Sequence, residues 1–260
     1  MDVSFVEAEA LSVLVADDAG LWRRFVREAV LAYGGTTTVH EAATGLQALD
    51  CLSNNRVDVA FVDLAMPEIN GAEVVERLHG ARRMPFFAVI SVTSDAEQIA
   101  RMRRLAAYDY LVKPFDTEAV RRVLATHERV TQTTRVLLVD DSGTTLSIIR
   151  RLLDRSIFRL DIAEARDGVS AFELYARRTA DIVFIDLNMP GLDGAQTLRI
   201  FRAYNPHVHV VLMSASQDAL DQARELGANA YLKKPFLPRD IDLVMHRMFG
   251  LTLPYHDLAP

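Results

Sequence analysis

Short runs of apolar residues alternate along the chain with longer stretches in which apolar residues recur every three or four positions. The runs predict buried β-strands and the stretches predict amphipathic helices, such as Leu21–Tyr33, Asp116–Val130 and Leu146–Leu153. Because the runs are continuously apolar, they are typical of parallel strands covered on both faces. The predicted strands are Ser12–Ala16, Thr36–His40, Val57–Val62, Phe86–Val92 and Tyr108–Val112, then Arg135–Val139, Phe158–Ala163, Ile182–Ile185, Val208–Met213 and Ala230–Leu232.

The same pattern is written twice, with a period near 122 residues. Asp63 and Asp186 are separated by 123 positions, and Lys113 and Lys234 by 121. The repeated segments are VLVADDAG and VLLVDDSG, FVDLAMPEINGAE and FIDLNMPGLDGAQ, AVISVTS and VVLMSAS, and YLVKPF and YLKKPF. The repeat predicts an α/β fold of two tandem doubly wound domains, each a five-stranded parallel sheet with five helices.

The length of 260 residues suits two such domains. We place the first domain at residues 1–130, a polar linker at 131–134 and the second domain at 135–260. A four-residue tether would hold the two domains close, and contact between domains, within one chain or between two chains, is one of the interactions left open.

Composition and charge narrow the class of protein. Half of the residues are hydrophobic and a quarter are charged, as in ordinary globular proteins. A net charge of −6 argues against direct nucleic-acid binding by broad neutralisation of phosphates. Cys51 is the single cysteine, which excludes an intramolecular disulfide and suits a reducing compartment. The longest uncharged apolar run, Met84–Ser94, is shorter than the roughly 18 residues of a membrane span, so we expect a cytoplasmic protein without membrane insertion.

Polar side chains repeat where the predicted strands end, and the carboxyl ends of parallel strands meet at one edge of a sheet. Three carboxylates gathered there would repel one another, and an all-oxygen set favours a hard divalent cation such as Mg²⁺. With a lysine opposite, one carboxylate could attack a phosphoryl group and become an acyl phosphate. These residues are Asp17, Asp18, Asp63, Thr93 and Lys113, and Asp140, Asp141, Asp186, Ser214 and Lys234.

Lysine usage supports a special role for Lys113 and Lys234. Only three of the 29 basic residues are lysine: Lys113 and Lys234 lie directly before a Pro-Phe pair, and Lys233 precedes Lys234. An isolated Asp after a strand is most often a helix cap or a turn residue. Turn chemistry alone does not require Asp, Asp, hydroxyl and Lys in the same order twice.

These motifs resemble the receiver domains of two-component response regulators, in tandem and without a recognisable output domain. The resemblance implies a flavodoxin-like fold in which Asp63 and Asp186 accept phosphoryl groups. It also implies cis bonds at Lys113–Pro114 and Lys234–Pro235. Mg²⁺ would be held by Asp17, Asp18, Asp63 and the carbonyl of Ala65, and by Asp140, Asp141, Asp186 and the carbonyl of Asn188. The switch residues would be Thr93, Lys113 and Tyr110, and Ser214, Lys234 and Tyr231.

By the same resemblance, the phosphoryl donor is a histidine kinase or a histidine phosphotransfer protein. Phosphorylation would alter the surface around the fourth helix, fifth strand and fifth helix, and so change contacts with a downstream protein or pass phosphate onward. The chain would then not be an enzyme beyond its own phosphorylation and dephosphorylation. Whether it belongs to a longer regulator with an output domain is left open.

Two other classes of function remain as alternatives. The chain could be a scaffold or allosteric regulator with only one phosphorylatable domain. A haloacid-dehalogenase-like phosphatase would need Asp-x-Asp on the first strand, which the adjacent pair Asp17-Asp18 does not match.

The two repeats also differ at positions that bear on the chemistry. Ala65 and Asn188 stand two residues beyond the candidate phosphoacceptors, and Asp95 and Ser216 two residues beyond the candidate hydroxyls. Since these positions flank the expected path of an attacking water, we expect the two sites to lose phosphate at different rates. Before the last strand, the first repeat has Ala106 where the second has Gly227.

Overall fold

The computed structural model describes residues 10–81, 83–216, 218 and 225–255. The first domain contains β1 Leu11–Ala16, α1 Gly20–Tyr33, β2 Thr37–Ala42, α2 Gly45–Asn54, β3 Val59–Asp63, α3 Gly71–Leu78, β4 Phe86–Ser91, α4 Ala96–Arg104, β5 Asp109–Val112 and α5 Thr117–Thr131. The second contains β6 Thr134–Val139, α6 Gly143–Leu153, β7 Leu160–Ala165, α7 Gly168–Arg177, β8 Ile182–Asp186, α8 Gly194–Tyr204, β9 His209–Ser214, β10 Ala230–Lys233 and α9 Pro238–Met248.

Each domain is one five-stranded parallel sheet. The strand orders are β2-β1-β3-β4-β5 and β7-β6-β8-β9-β10. The predicted doubly wound fold is therefore confirmed, with nine helices among the described residues. The fifth helix that we predicted for the second domain falls between β9 and β10, where residues 217 and 219–224 lie outside the described part of the chain.

The continuous apolar runs form the central strands because both faces of each sheet are covered. All five residues of β3 and all five of β8 are buried. In the first domain, alternate residues such as Val15 and Phe61 pack on one face in a cluster with α1 and α5. Leu14 and Val62 pack on the opposite face, beneath α2, α3 and α4. This burial, about 1.5–3 kcal/mol for each large side chain, holds the carboxyl ends of the strands in place.

The compact units have boundaries that differ from the domain limits read off the sequence. The first unit comprises the described residues up to His127 together with Thr252–Tyr255, and the second comprises Glu128–Leu251. α5 extends to Thr131 and β6 begins at Thr134, so only Gln132 and Thr133 of the polar stretch 131–134 lie between regular elements. The carbonyl of Val130 accepts a hydrogen bond from the backbone N–H of Arg159, at 2.9 Å, which includes the last turn of α5 in the second unit.

The expected cis bonds are present, and the turn before the last strand has the same backbone conformation in both domains. The bonds Lys113–Pro114 and Lys234–Pro235 are both cis. The turn before the last strand is left-handed in both domains, with φ of 59° at Ala106 and 75° at Gly227. Since a side chain in this conformation costs roughly 1–2 kcal/mol, Ala106 holds a strain that Gly227 avoids.

Within the described residues, no helix combines the length and apolarity needed to cross a bilayer.

Candidate functional site

Three carboxylates meet at the carboxyl end of each sheet, as the sequence predicted. Asp63 is the last residue of β3, and Asp17 and Asp18 follow β1 directly. Their carboxylate oxygens lie within 4.8 Å of one another, and the same holds for Asp140, Asp141 and Asp186. In each set the first Asp of the pair and the strand-ending Asp are buried, whereas the second Asp of the pair is exposed.

A lysine joins the two buried carboxylates in each domain. In the first, Lys113 Nζ lies 2.6 Å from Asp17 Oδ2 and 2.8 Å from Asp63 Oδ2. In the second, Lys234 Nζ lies 2.7 Å from Asp140 Oδ2 and 3.0 Å from Asp186 Oδ1. The side chain of Lys113 is 6% exposed and that of Lys234 is 22% exposed. The second site is therefore the more open to solvent.

Burial and charge act against each other on these groups. Burial raises the pKa of the Asp17 and Asp186 carboxyls, although the nearby lysine ammonium lowers it in part. Burial opposes the charged form of Lys113 and Lys234, but their carboxylate partners outweigh it and raise the pKa of both lysines. One ammonium faces three carboxylates, so each cluster has a surplus of negative charge.

The donor set fits a hard divalent cation. Asp17 Oδ2 is buried and lies 2.6 Å from the ammonium nitrogen of Lys113. The other oxygen, Oδ1, accepts the backbone N–H of Ala19 at 3.0 Å. Oxygen-only ligands with excess negative charge are what Mg²⁺ requires. Coordination by the carbonyls of Ala65 and Asn188 stays a prediction.

Glycines let a helix start against the strand that ends in the candidate phosphoacceptor. A Cβ built on Gly71, the first residue of α3, would lie 2.1 Å from the carbonyl oxygen of Asp63. A Cβ on Gly194, the first residue of α8, would lie 2.3 Å from the carbonyl oxygen of Asp186. Gly71 and Gly194, each four residues beyond the proline of the repeated Asp-Leu-x-Met-Pro segment, are therefore needed for close backbone approach, which turn propensity alone would not reveal.

The sheet register corrects the predicted hydroxyl of the first domain. Asp63 pairs with Ile90, and Asp186 pairs with Met213, which is 123 positions later. Ser214 therefore corresponds to Ser91, the last residue of β4, and not to Thr93. The Ser91 and Ser214 side chains are buried, and Thr93 is exposed.

Hydrogen bonds support this correspondence. The carbonyl of Ser91 accepts the N–H of Lys113 at 2.7 Å, and the carbonyl of Ser214 accepts that of Lys234 at 2.8 Å. Each serine Oγ also accepts the N–H of the residue two positions later, at 3.2 Å in the first domain and 3.1 Å in the second. The two-residue difference between repeats thus lies after this strand, and a constant offset of 123 up to its end would have identified Ser91.

Because Ser91 replaces Thr93 as the hydroxyl residue, a different residue of the first domain now stands two positions beyond the hydroxyl. Thr93, not Asp95, now corresponds to Ser216. Asp95 instead caps α4, where its carboxylate accepts the backbone N–H of Gln98 at 2.8 Å. Both domains then have a hydroxyl residue here, so the chemical difference between the sites falls on Ala65 and Asn188. The Asn188 amide donates to Ser214 Oγ at 3.3 Å.

The two predicted switch tyrosines lie beside these hydroxyls but differ in burial. The Tyr110 hydroxyl lies 3.0 Å from the carbonyl of Thr93 and 2.8 Å from Gln98 Oε1, and its side chain is buried. The Tyr231 hydroxyl lies 3.1 Å from the carbonyl of Ser214 and 2.5 Å from that of Ser216, in a partly exposed setting. Burial raises the pKa of both phenols.

An aromatic cover over Lys113 was not anticipated from the sequence. Trp22 of α1 stacks on Phe115 with ring centroids 5.1 Å apart, and Lys113 Nζ lies 5.4 Å from the Trp22 ring centre. The second domain has Thr145 at the corresponding position, 123 residues later. Trp22 accounts in part for the lower exposure of Lys113. The sequence feature that could have predicted this cover is the single tryptophan of the chain, which stands four residues after Asp18.

Comparisons with known proteins agree with this geometry. The family model described as the response regulator receiver domain matches the chain twice, over residues 13–125 and 136–248. The chemotaxis protein CheY of Pseudomonas aeruginosa is 34% identical over 124 residues, which are 45% of this chain and 99% of CheY. The transcriptional regulatory protein PrrA of Mycobacterium tuberculosis is 37% identical over 105 residues, which are 40% of this chain and 44% of PrrA.

Solved structures with two such domains resemble most of the chain, and one of them serves as the example. It is that of a two-component system response regulator/GGDEF domain protein, with a TM-score of 0.64 and 21% identity. The match covers 92% of this chain and 98% of that one. At this identity, the likeness concerns the fold. Several curated relatives, PrrA among them, are matched over only about half of their own length.

Proposed function

This chain belongs to the response regulator receiver family and acts in response-regulator signalling; on that premise we propose that each domain accepts a phosphoryl group, on Asp63 and on Asp186. The observation that carries the proposal is the lysine ammonium held between two buried carboxylates in both domains. A buried carboxylate at a strand end, facing a fixed positive charge, is a nucleophile with a counter-charge already in place for phosphoryl oxygens.

The donor that we propose is a phosphohistidine of a kinase or phosphotransfer protein. A carboxylate oxygen of Asp63 or Asp186 forms a bond to phosphorus as the bond from phosphorus to the donor nitrogen breaks, and the electron pair of that bond stays on the nitrogen. Lys113 or Lys234 then pairs with a phosphoryl oxygen, and the hydroxyl of Ser91 or Ser214 can donate to another. Both serines end the strand next to the phosphoacceptor strand, which supports this role.

The three carboxylates of each domain would hold Mg²⁺, which supplies charge neutralisation for the transferred group. Asp17, Asp18 and Asp63 form one such set, and Asp140, Asp141 and Asp186 the other. No separate substrate is turned over in this proposal, so the chain is not an enzyme beyond its own phosphorylation and dephosphorylation. The signal leaves through a protein contact on the face that includes α4 and β5, or by transfer of phosphate onward.

Phosphoryl stoichiometry tests the proposal. The intact chain, treated with a small acyl or amido phosphate donor and Mg²⁺, should take up two acid-stable, hydroxylamine-labile phosphoryl groups. The Asp63→Asn and Asp186→Asn variants should each take up one, and the double variant none. Intact-protein mass measurement counts the groups. A single group on the wild-type chain would instead support a scaffold with one phosphorylatable domain, and uptake by the double variant would exclude these aspartates.

The two sites should also lose phosphate at different rates. Asn188 places an amide beside the hydroxyl of Ser214, whereas Ala65 offers no polar group and Lys113 is covered by Trp22. We expect water to reach a phosphorylated Asp186 more easily than a phosphorylated Asp63. The half-life of the acyl phosphate at Asp186 should therefore be shorter, by about threefold or more. Decay of the acyl phosphate in Asp63→Asn and Asp186→Asn chains measures each site alone. Equal half-lives would contradict the expectation, and Asn188→Ala should lengthen the half-life at Asp186.

A further inference from the structure

The segment Thr252–Tyr255 follows the second domain in sequence but packs with the first. The Tyr255 side chain is only 7% exposed. It lies in the apolar cluster that also contains Met102 of α4, Tyr110 of β5, and Ala107 of the turn between these two elements. A tyrosine four residues beyond Leu251 thus fills a place in the core beside the switch tyrosine of the first domain.

Polar contacts fix the orientation of Tyr255. Its backbone N–H donates to Asp109 Oδ1 at 2.6 Å, and its hydroxyl donates to the carbonyl of Ala107 at 2.8 Å. The guanidinium carbon of Arg103 lies 4.4 Å from the centre of its ring. Both ends of the residue and the face of its ring are therefore engaged, which a non-specific apolar contact would not achieve.

The internal repeat provides a comparison for this site. Asp109 is buried and begins β5, and the corresponding residue that begins β10 is Ala230. A buried carboxylate requires hydrogen-bond donors, and Tyr255 provides one of them. The second domain has no acidic residue at this position and so lacks the acceptor that binds the Tyr255 backbone. The carboxylate that distinguishes Asp109 from Ala230 is thus the group that binds the Tyr255 backbone.

We propose that the α4–β5 surface of the first domain is a binding site for a tyrosine-bearing peptide segment, and that Thr252–Tyr255 is its resident occupant. The site consists of Arg103, Ala107 and the Asp109 carboxylate, with the apolar cluster beneath. A partner that docks here in the same way must displace the tail. The further consequence, that phosphorylation of Asp63 alters tail occupancy through the neighbouring Tyr110, rests on the proposed function.

Nitration of the intact wild-type chain tests whether the tail is docked. With tetranitromethane, Tyr255 should react at least tenfold more slowly than Tyr204, whose side chain is mostly exposed. Asp109→Ala should speed the reaction of Tyr255 at least fivefold. Asp50→Ala, which removes an exposed carboxylate of α2 in the same domain, should leave it unchanged. Peptide mapping by mass spectrometry gives the rates, and equal rates at Tyr255 and Tyr204 would overturn the proposal.

Binding in trans tests whether the surface recognises the segment. A fluorescent peptide of residues 250–260 should bind saturably to the Tyr255→Ala chain, whose site is vacated, and at least tenfold more weakly to wild type, whose tethered tail competes. The same peptide with alanine in place of tyrosine should not bind. Absence of saturable binding to a Tyr255→Ala chain with wild-type circular dichroism would overturn the proposal. If that variant does not fold, the nitration rates of Tyr255 and Tyr204 in the wild-type chain decide whether the proposal stands. Neither test uses a phosphodonor, so failure here is distinct from failure of phosphorylation.

Discussion

Replacing Gly71 with alanine should destabilise the first domain by about 3 kcal/mol and prevent phosphorylation of Asp63. The new methyl group would lie 2.1 Å from the Asp63 carbonyl oxygen and 2.8 Å from its carbonyl carbon. Both are backbone atoms of a buried strand, so relief requires movement of β3 or of the start of α3, and overpacking of this kind costs 1–3 kcal/mol or more. Urea unfolding measures the loss of stability, and acyl-phosphate formation measures the displacement of Asp63.

Gly20→Ala is the matched control. Gly20 also begins a helix of the first domain, but a Cβ there would meet only the end of the Arg23 side chain, at 3.6 Å. We expect stability to be unchanged or slightly raised, because alanine is the better helix former by up to about 1 kcal/mol. Equal effects of the two substitutions would show that α3 does not press on the phosphoacceptor strand.

The Lys113→Met substitution should lower the stability of the first domain by about 3 kcal/mol in the presence of a chelator. It leaves the buried carboxylates of Asp17 and Asp63 facing each other without a counter-charge, and removing one partner of a buried ion pair costs about 3–5 kcal/mol. Under the proposed function, millimolar Mg²⁺ should restore part of the loss, because a bound cation replaces the missing charge. Thermal unfolding with EDTA and with Mg²⁺ makes the comparison.

Two lysines of the second domain serve as comparisons. Lys234→Met should have a smaller effect than Lys113→Met, because the Lys234 side chain is 22% exposed and solvent screens its carboxylates. Lys233→Met changes an exposed neighbour outside the cluster and should alter stability by less than about 0.5 kcal/mol. If Lys113→Met proved as mild as Lys233→Met, the ion-pair geometry of the first site would be wrong.

The sequence predicted most of the fold because its signal is strong and repeated. Apolar runs identified all ten strands to within about two residues, and the largest error, two residues at each end, is at β7. β7 is an edge strand with mostly partly exposed residues, so its hydrophobic signal is weaker. The aspartates and lysines were also found from the sequence, since in a parallel sheet the strand ends alone bring them together.

The hydroxyl of the first domain shows where sequence matching failed. Ser91 and Thr93 both stand near the end of the same apolar run, and the offset at Lys113 favoured Thr93. Only the pairing of Asp63 with Ile90 places the two-residue difference after β4 and makes Ser91 the buried residue. Strand register depends on hydrogen bonds to neighbouring strands, and a gap in a short polar loop leaves no trace in hydrophobic periodicity.

By itself the sequence determined the two doubly wound sheets and the residues that can form two phosphoryl-accepting clusters. These follow from local periodicity and from the order of motifs along the chain. Tertiary structure decided that Ser91 is the buried hydroxyl residue at the end of β4, that Trp22 covers Lys113, and that Tyr255 packs beside Tyr110 in the first domain. Each of these depends on contacts between segments distant in sequence, whose free energy comes from burial and hydrogen bonding that no local pattern records.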